Sequence, residues 1–151
     1  MGRYSTIMTR TASTTLSVGN ITANATTPRR FKIYDLVFGS AEATPADGAT
    51  LWQLQRCTTT GTVGSSVTPQ PLDPADAAAS AAAGQAHTTD PTLTANAIPL
   101  SIGLNQRATF RWVAQPGGEL VAPATANNGF AIRTPSAATV TCSATTHFEE
   151  Q

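Results

Sequence analysis

The sequence predicts an all-β fold, a sandwich or barrel of short antiparallel strands that carries one short Ala-rich helix. Three observations lead there. The chain holds 26 Thr and 26 Ala, about a third of its 151 residues, and Thr favours pleated, half-buried surfaces. Eleven Gly and ten Pro punctuate it. The C-terminal half then alternates apolar and polar residues with period two, broken by turn signals at short intervals.

Within Ile98–Leu104 every even position is a large aliphatic, with Pro99, Ser101 and Gly103 interposed. That is the period of a strand with one buried face. After Asn105-Gln106 the pattern resumes, with Ala108, Phe110, Trp112 and Ala114 on one side and Arg107, Thr109 and Arg111 on the other. Pro116-Gly117-Gly118 breaks it by turn chemistry. Glu119–Val121 can form a short strand, and Asn128-Gly129 is a favoured hairpin dipeptide. Phe130 and Ile132 then face in while Ala131 and Arg133 face out. The last run, Thr139–Phe148, places Val140, Cys142, Ala144 and Phe148 inside and His147 outside.

Upstream, Phe31–Phe38 is the densest apolar run and does not alternate cleanly. Either both faces are covered, or a bulge switches them. Leu51–Arg56 reads as a strand with Trp52 and Leu54 inward. The helix is expected after Asp73: Asp73 as N-cap, Pro74 at the first helical position, Asp76 in the first turn, alanines to Ala83, and Gly84 as the stop. Ala has the highest helix propensity, but about ten residues are marginal unless packed. Residues 1–28 are polar and Thr-rich, and are expected to be an arm or edge strands. Residues 29–151 are expected to form the sandwich domain.

Charge narrows the function classes. Lys plus Arg is 9 and Asp plus Glu is 9, so the formal net charge is zero, and charged residues are only 12%. A nucleic-acid binder needs a cationic footprint to displace counterions, so nucleic acid is not an expected partner. No apolar run reaches signal-peptide or membrane-span length, so a soluble chain made in a cytoplasm is expected, without a membrane partner.

No motif announces a reaction. The acids mostly occupy turns, the expected cap or the chain end, and Asp35 inside an apolar strand is the odd one. It reads as an outward or bulge residue paired to Arg or to backbone donors, with a functional carboxylate as the alternative. His87 in a loop and His147 on an outward face do not make a metal set, and no cofactor is expected. Cys57 and Cys142 lie 85 positions apart and read as buried free thiols, with a long-range disulfide as the alternative. No phosphate-binding glycine loop and no nucleophile elbow is present. An enzyme is not expected. Arg107, Arg111 and Arg133 fall on outward positions of neighbouring strands and are the candidate subunit or partner contact, against a plainly solvated face. Trp52 and Trp112 fit core positions, or a sugar-stacking platform if exposed.

Several segments in order resemble small structural proteins of tailed-bacteriophage virions. They are Phe31–Gly39, Ala49–Arg56, Pro71–Asp76, Asn105–Val113, Pro116–Leu120, Asn127–Gly129 and Thr146–Glu150. Within that class the chain is most similar to capsid decoration, or cement, proteins. The resemblance implies a jelly-roll-like sandwich, a homotrimer on the capsid surface, the major capsid protein as partner, and synthesis in a bacterial cytoplasm. It implies no catalytic residues. A tail- or fibre-associated virion protein and a non-catalytic carbohydrate-binding module are the alternatives.

Overall fold

The computed structural model describes residues 1–136 and 139–151. Among the described residues twelve strands follow one another: β1 (Arg3–Thr11), β2 (Gly19–Thr22), β3 (Phe31–Ser40), β4 (Ala49–Cys57), β5 (Ser65–Val67), β6 (Gln70–Pro71), β7 (Ala82–Gln85), β8 (Leu100–Asn105), β9 (Phe110–Val113), β10 (Leu120–Ala122), β11 (Gly129–Arg133) and β12 (Thr141–Glu150). They form two antiparallel sheets. The first runs β10-β3-β12-β1-β6, with β9 also on β3; the second runs β5-β7-β2-β11-β4-β8. The fold is all-β, with no helix among the described residues.

One core lies between the sheets. The first contributes Tyr4, Met8, Phe31, Ile33, Leu36, Phe38 and Phe148; the second contributes Ile21, Trp52, Leu54, Phe130 and Ile132. Phe38 stacks on Trp52 across the sheets at 4.9 Å between ring centroids. Tyr4 and Phe31 both pack on Phe148. Both cysteines are free and buried, as expected.

The long run in β3 contains a bulge. His147 lies opposite Asp35, but Phe148 lies opposite Ile33, so Tyr34 is an extra residue. The shift lets Phe31 and Ile33 face the core before it, and Leu36 and Phe38 after it. Asp35 is thereby turned to the outer face.

Residues 1–28 supply two interior strands in place of an arm or edge strands: β1 lies between β12 and β6, and β2 between β7 and β11. Their apolar residues are sparse among threonines, yet Tyr4, Met8, Val18 and Ile21 are all buried. That is sufficient to anchor both strands in the core.

The expected helix after Asp73 is not formed. The cap signal closes only a turn, with Ala75 N donating to Asp73 Oδ1 at 2.9 Å and Asp76 N to the Asp73 carbonyl at 3.0 Å. Beyond it the backbone is claimed by distant partners. Glu150 accepts from Ser80 N and Ala81 N at 3.0 and 2.5 Å, and Ala82–Gln85 becomes β7 between β2 and β5. Gly84 is no helix stop. It sits where an added Cβ would lie 2.1 Å from Val63 Cγ1, so this strand needs a glycine for the close approach.

The Asn128-Gly129 dipeptide makes no hairpin either, because β10 joins the first sheet and β11 the second. Asn127 takes the left-handed conformation, φ +62°, and the chain crosses between sheets. Gly129 then meets β2 so closely that a Cβ would lie 2.0 Å from the Ile21 carbonyl oxygen.

Candidate functional site

The outer face of the first sheet gathers the chain's most organised polar cluster. The registers lay it out in rows: Arg3·Glu149·Lys32, then Ser5·His147·Asp35·Val113, then Ile7·Thr145·Val37·Arg111, then Thr9·Ser143·Gly39. The Thr9 row is small and uncharged, the Ile7 row carries Arg111 as its one charge, and the first two rows hold Arg3, Glu149 and Lys32, and Asp35 with His147.

Asp35 is the centre. Its side chain is only 5% exposed despite facing outward, because its neighbours cover it. Arg111 reaches across from β9 and grips it with two prongs, Nε to Oδ1 at 3.0 Å and Nη2 to Oδ2 at 2.6 Å. His147 Nδ1 donates to Oδ2 at 3.1 Å. The bond from Arg111 holds the carboxyl below the usual aspartate range, the bond from His147 helps, and burial opposes them. Tyr34, the bulge residue, stacks on the His147 ring at 6.3 Å, and the Arg3 guanidinium lies 5.8 Å over the Tyr34 ring. Arg3 in turn pairs with Glu149 at 3.4 Å.

Beside this chain of contacts lies a shallow depression of about 250 Å³, lined by Arg3, Lys32, Tyr34, Pro116, Glu119 and Glu149. Its two cations and two anions match no single ligand charge. Asp35 has its oxygens occupied by Arg111 and His147, so the cluster fixes a surface shape and a local charge pattern. Burial pushes the Cys57 thiol up to about 12 and the Cys142 thiol up to about 11, which leaves both protonated at neutral pH and unreactive. Among the described residues no group of three or more His, Cys, Asp or Glu converges as a metal set.

The three candidate arginines are not brought together. Arg111 belongs to the cluster just described. Arg107 lies in the turn after β8, paired with Asp47 at 2.9 Å, and both side chains are mostly exposed. Arg133 ends β11 in the second sheet and donates to Gln55 Oε1 at 2.9 Å. Arg111 and Arg133 therefore lie on different sheets, whereas adjacent placement was expected. The expected pairing of Asp35 with an Arg is found. Its second partner, His147, was placed outward by alternation, but only the register across β3 and β12 joins the two. Nothing in the sequence singles out Arg3, and the broken alternation of Phe31–Phe38 is the one signal that points to Tyr34.

Of the tryptophans, Trp52 is buried and Trp112 half-buried, so Trp52 offers no stacking platform to a sugar. No protein-family model, no curated protein and no solved structure matches the chain.

Proposed function

We propose that the chain is a non-catalytic structural protein of a tailed-bacteriophage virion, and specifically a capsid decoration protein. Its two sheets would form a jelly-roll-like sandwich, and its partners would be the major capsid protein and further copies of itself. The resemblance of the ordered segments motivates the reading, and the outer face of the first sheet supports it most. That face carries hydroxyl and aliphatic side chains, and its two carboxylates, Asp35 and Glu149, are each ion-paired within it, to Arg111 and Arg3. Such a face suits a partner met by shape at many equivalent positions. Each bound copy would then add stability to the assembled lattice by mass action. An ion-paired rather than free arginine at its centre orders the surface before binding, which lowers the entropy lost on docking.

The test is proteomics and labelling of purified particles of the phage that encodes the chain. The reading expects the chain in particles at high copy number, with antibody labelling over the head. Labelling over the tail selects the tail-associated alternative. Absence from particles, with abundance in infected-cell lysate, overturns the virion reading altogether.

A further inference from the structure

The two sheets end in strands of very different kinds. β5, β6, β9 and β10 are edges of two to four residues, short enough to offer little to another chain. β8 is six residues long, lies at the end of its sheet, and among the described residues pairs only with β4. It contains no charge and no Pro, the usual means by which an open edge is protected. Its inward residues Leu100, Ile102 and Leu104, with Phe110 and Trp112 of β9, pack on the core and yet remain half-exposed.

The open edge has a defined polarity. Gln106 N donates to the Gly48 carbonyl at 2.9 Å, and the register continues as Leu104 opposite Thr50 and Ile102 opposite Trp52. In an antiparallel ladder alternate residues turn their backbone groups to one neighbour. The even residues of β8 therefore bond to β4, and Ser101 and Gly103 direct their N–H and C=O groups out of the edge. Gly103 has nothing within 4 Å of where its Cβ would be, so no contact among the described residues requires a glycine there.

We propose that β8 is a docking strand for a second copy of this chain, paired antiparallel across a two-fold axis at Ile102. The sequence Leu100-Ser101-Ile102-Gly103-Leu104 is nearly symmetric about its centre. In that register each Leu100 faces the partner's Leu104, the two Ile102 side chains meet at the axis, and each Ser101 faces the partner's Gly103. The outward groups of Ser101 and Gly103 then form four backbone hydrogen bonds, two on each side of the axis. Pro99, which lacks an N–H, bounds the ladder at one end. An isologous contact needs a surface complementary to itself, and this strand has that property with no opposed charges. The half-exposed apolar residues meet their counterparts in the same step. The pairing is independent of any role on a capsid, since it forms in the purified chain.

Light scattering across micromolar to millimolar concentration tests it, together with two variants. The wild type is expected to reach twice the 15.6 kDa chain mass. Ser101→Pro removes an N–H that only the partner uses, and Pro is tolerated on an open edge. It is expected to keep the wild-type circular dichroism and weaken dimerisation at least about tenfold. Ile102→Cys occupies a non-hydrogen-bonded pair, where Cα atoms lie about 4.5 Å apart, within disulfide reach. It is expected to cross-link through that cysteine under mild oxidation, while Leu100→Cys does not, and this readout stands even if Ser101→Pro fails to fold. A monomer throughout with no Ile102→Cys cross-link overturns the proposal. So does a trimer, as the phage resemblance implies, that Ser101→Pro leaves intact.

Discussion

Arg111 and Asp35, 76 positions apart, meet as a two-pronged ion pair in which the arginine is largely exposed and the aspartate almost wholly covered. The asymmetry decides what each substitution does. Losing the arginine leaves a covered carboxylate with His147 alone, whereas losing the carboxylate frees a guanidinium that water already reaches. Arg111→Ala is therefore expected to destabilise more than Asp35→Asn, and urea unfolding of the two variants beside the wild type checks the order. The reverse order would mean that the outer face tolerates a lone carboxylate.

The same pair fixes the sign of a pH effect. Arg111 first, and His147 after it, hold the folded Asp35 carboxyl below its unfolded range. The stabilisation is therefore complete above the unfolded aspartate pKa, about 4, and disappears as pH falls through the lower folded value. Wild-type stability should drop more steeply than that of Asp35→Asn between about pH 5 and pH 2. Urea midpoints at half-unit intervals measure this. Parallel curves for the two proteins would exclude Asp35 as a source of acid sensitivity.

Much of this face was legible because a strand's period is local. Alternation places Arg111 and His147 outward, and the broken alternation of Phe31–Phe38 leaves two readings, both faces covered or a bulge, of which the bulge is found. What alternation cannot carry is which strand lies beside which. Arg111 and Arg133 are expected on the outer face of adjacent strands, yet the chain crosses between sheets after β10. Chain order is a poor guide where connections switch sheets.

The stack of Phe38 on Trp52 joins the two sheets, and both side chains are buried. Trp52→Ala removes a large core side chain and should cost about 3–5 kcal/mol. In the wild type, iodide should quench the half-buried Trp112 and leave Trp52 dark to the quencher. Comparing Trp112→Phe with the wild type separates the signals. Equal quenching of both would contradict the core placement of Trp52.

Thr146 and Thr6 face each other across β12 and β1, both buried, and neither hydroxyl has a hydrogen-bond partner among the described residues. An unsatisfied buried hydroxyl carries a desolvation cost that a methyl group of the same shape does not. Thr146→Val should raise stability by about 1 kcal/mol. The double change with Thr6→Val should depart from the sum of the singles, since the two are in contact range. A loss of stability in Thr146→Val would show that its hydroxyl is satisfied in solution.

Gly129 illustrates a glycine dictated by packing. A methyl group there would lie 2.0 Å from the Ile21 carbonyl oxygen, which is backbone and cannot swing away. Gly129→Ala must separate β11 from β2, and the cost should be at least the 1–3 kcal/mol typical of overpacking. Thermal unfolding of the purified variant provides the check. A midpoint equal to the wild type would mean that these strands slide apart freely.

Glu150 explains why the alanine run after Asp73 is not helical, and it offers a direct test. The local signals there are those of a helix start, but the carboxylate binds the Ser80 and Ala81 amides from about 70 positions away. Asn24 Nδ2 also donates to the Ser80 carbonyl, and Tyr4 Oη to that of Ala77. A marginal helix of alanines gains too little to compete with charge-assisted bonds and strand pairing. Glu150→Gln keeps the shape and one acceptor oxygen but removes the charge, and its amide cannot accept from the second N–H. The change should cost about 1–3 kcal/mol and speed hydrogen exchange at the Ser80 and Ala81 amides above that of β12. Unchanged exchange at those two amides would show that strand pairing of Ala82–Gln85 alone keeps the segment out of a helix.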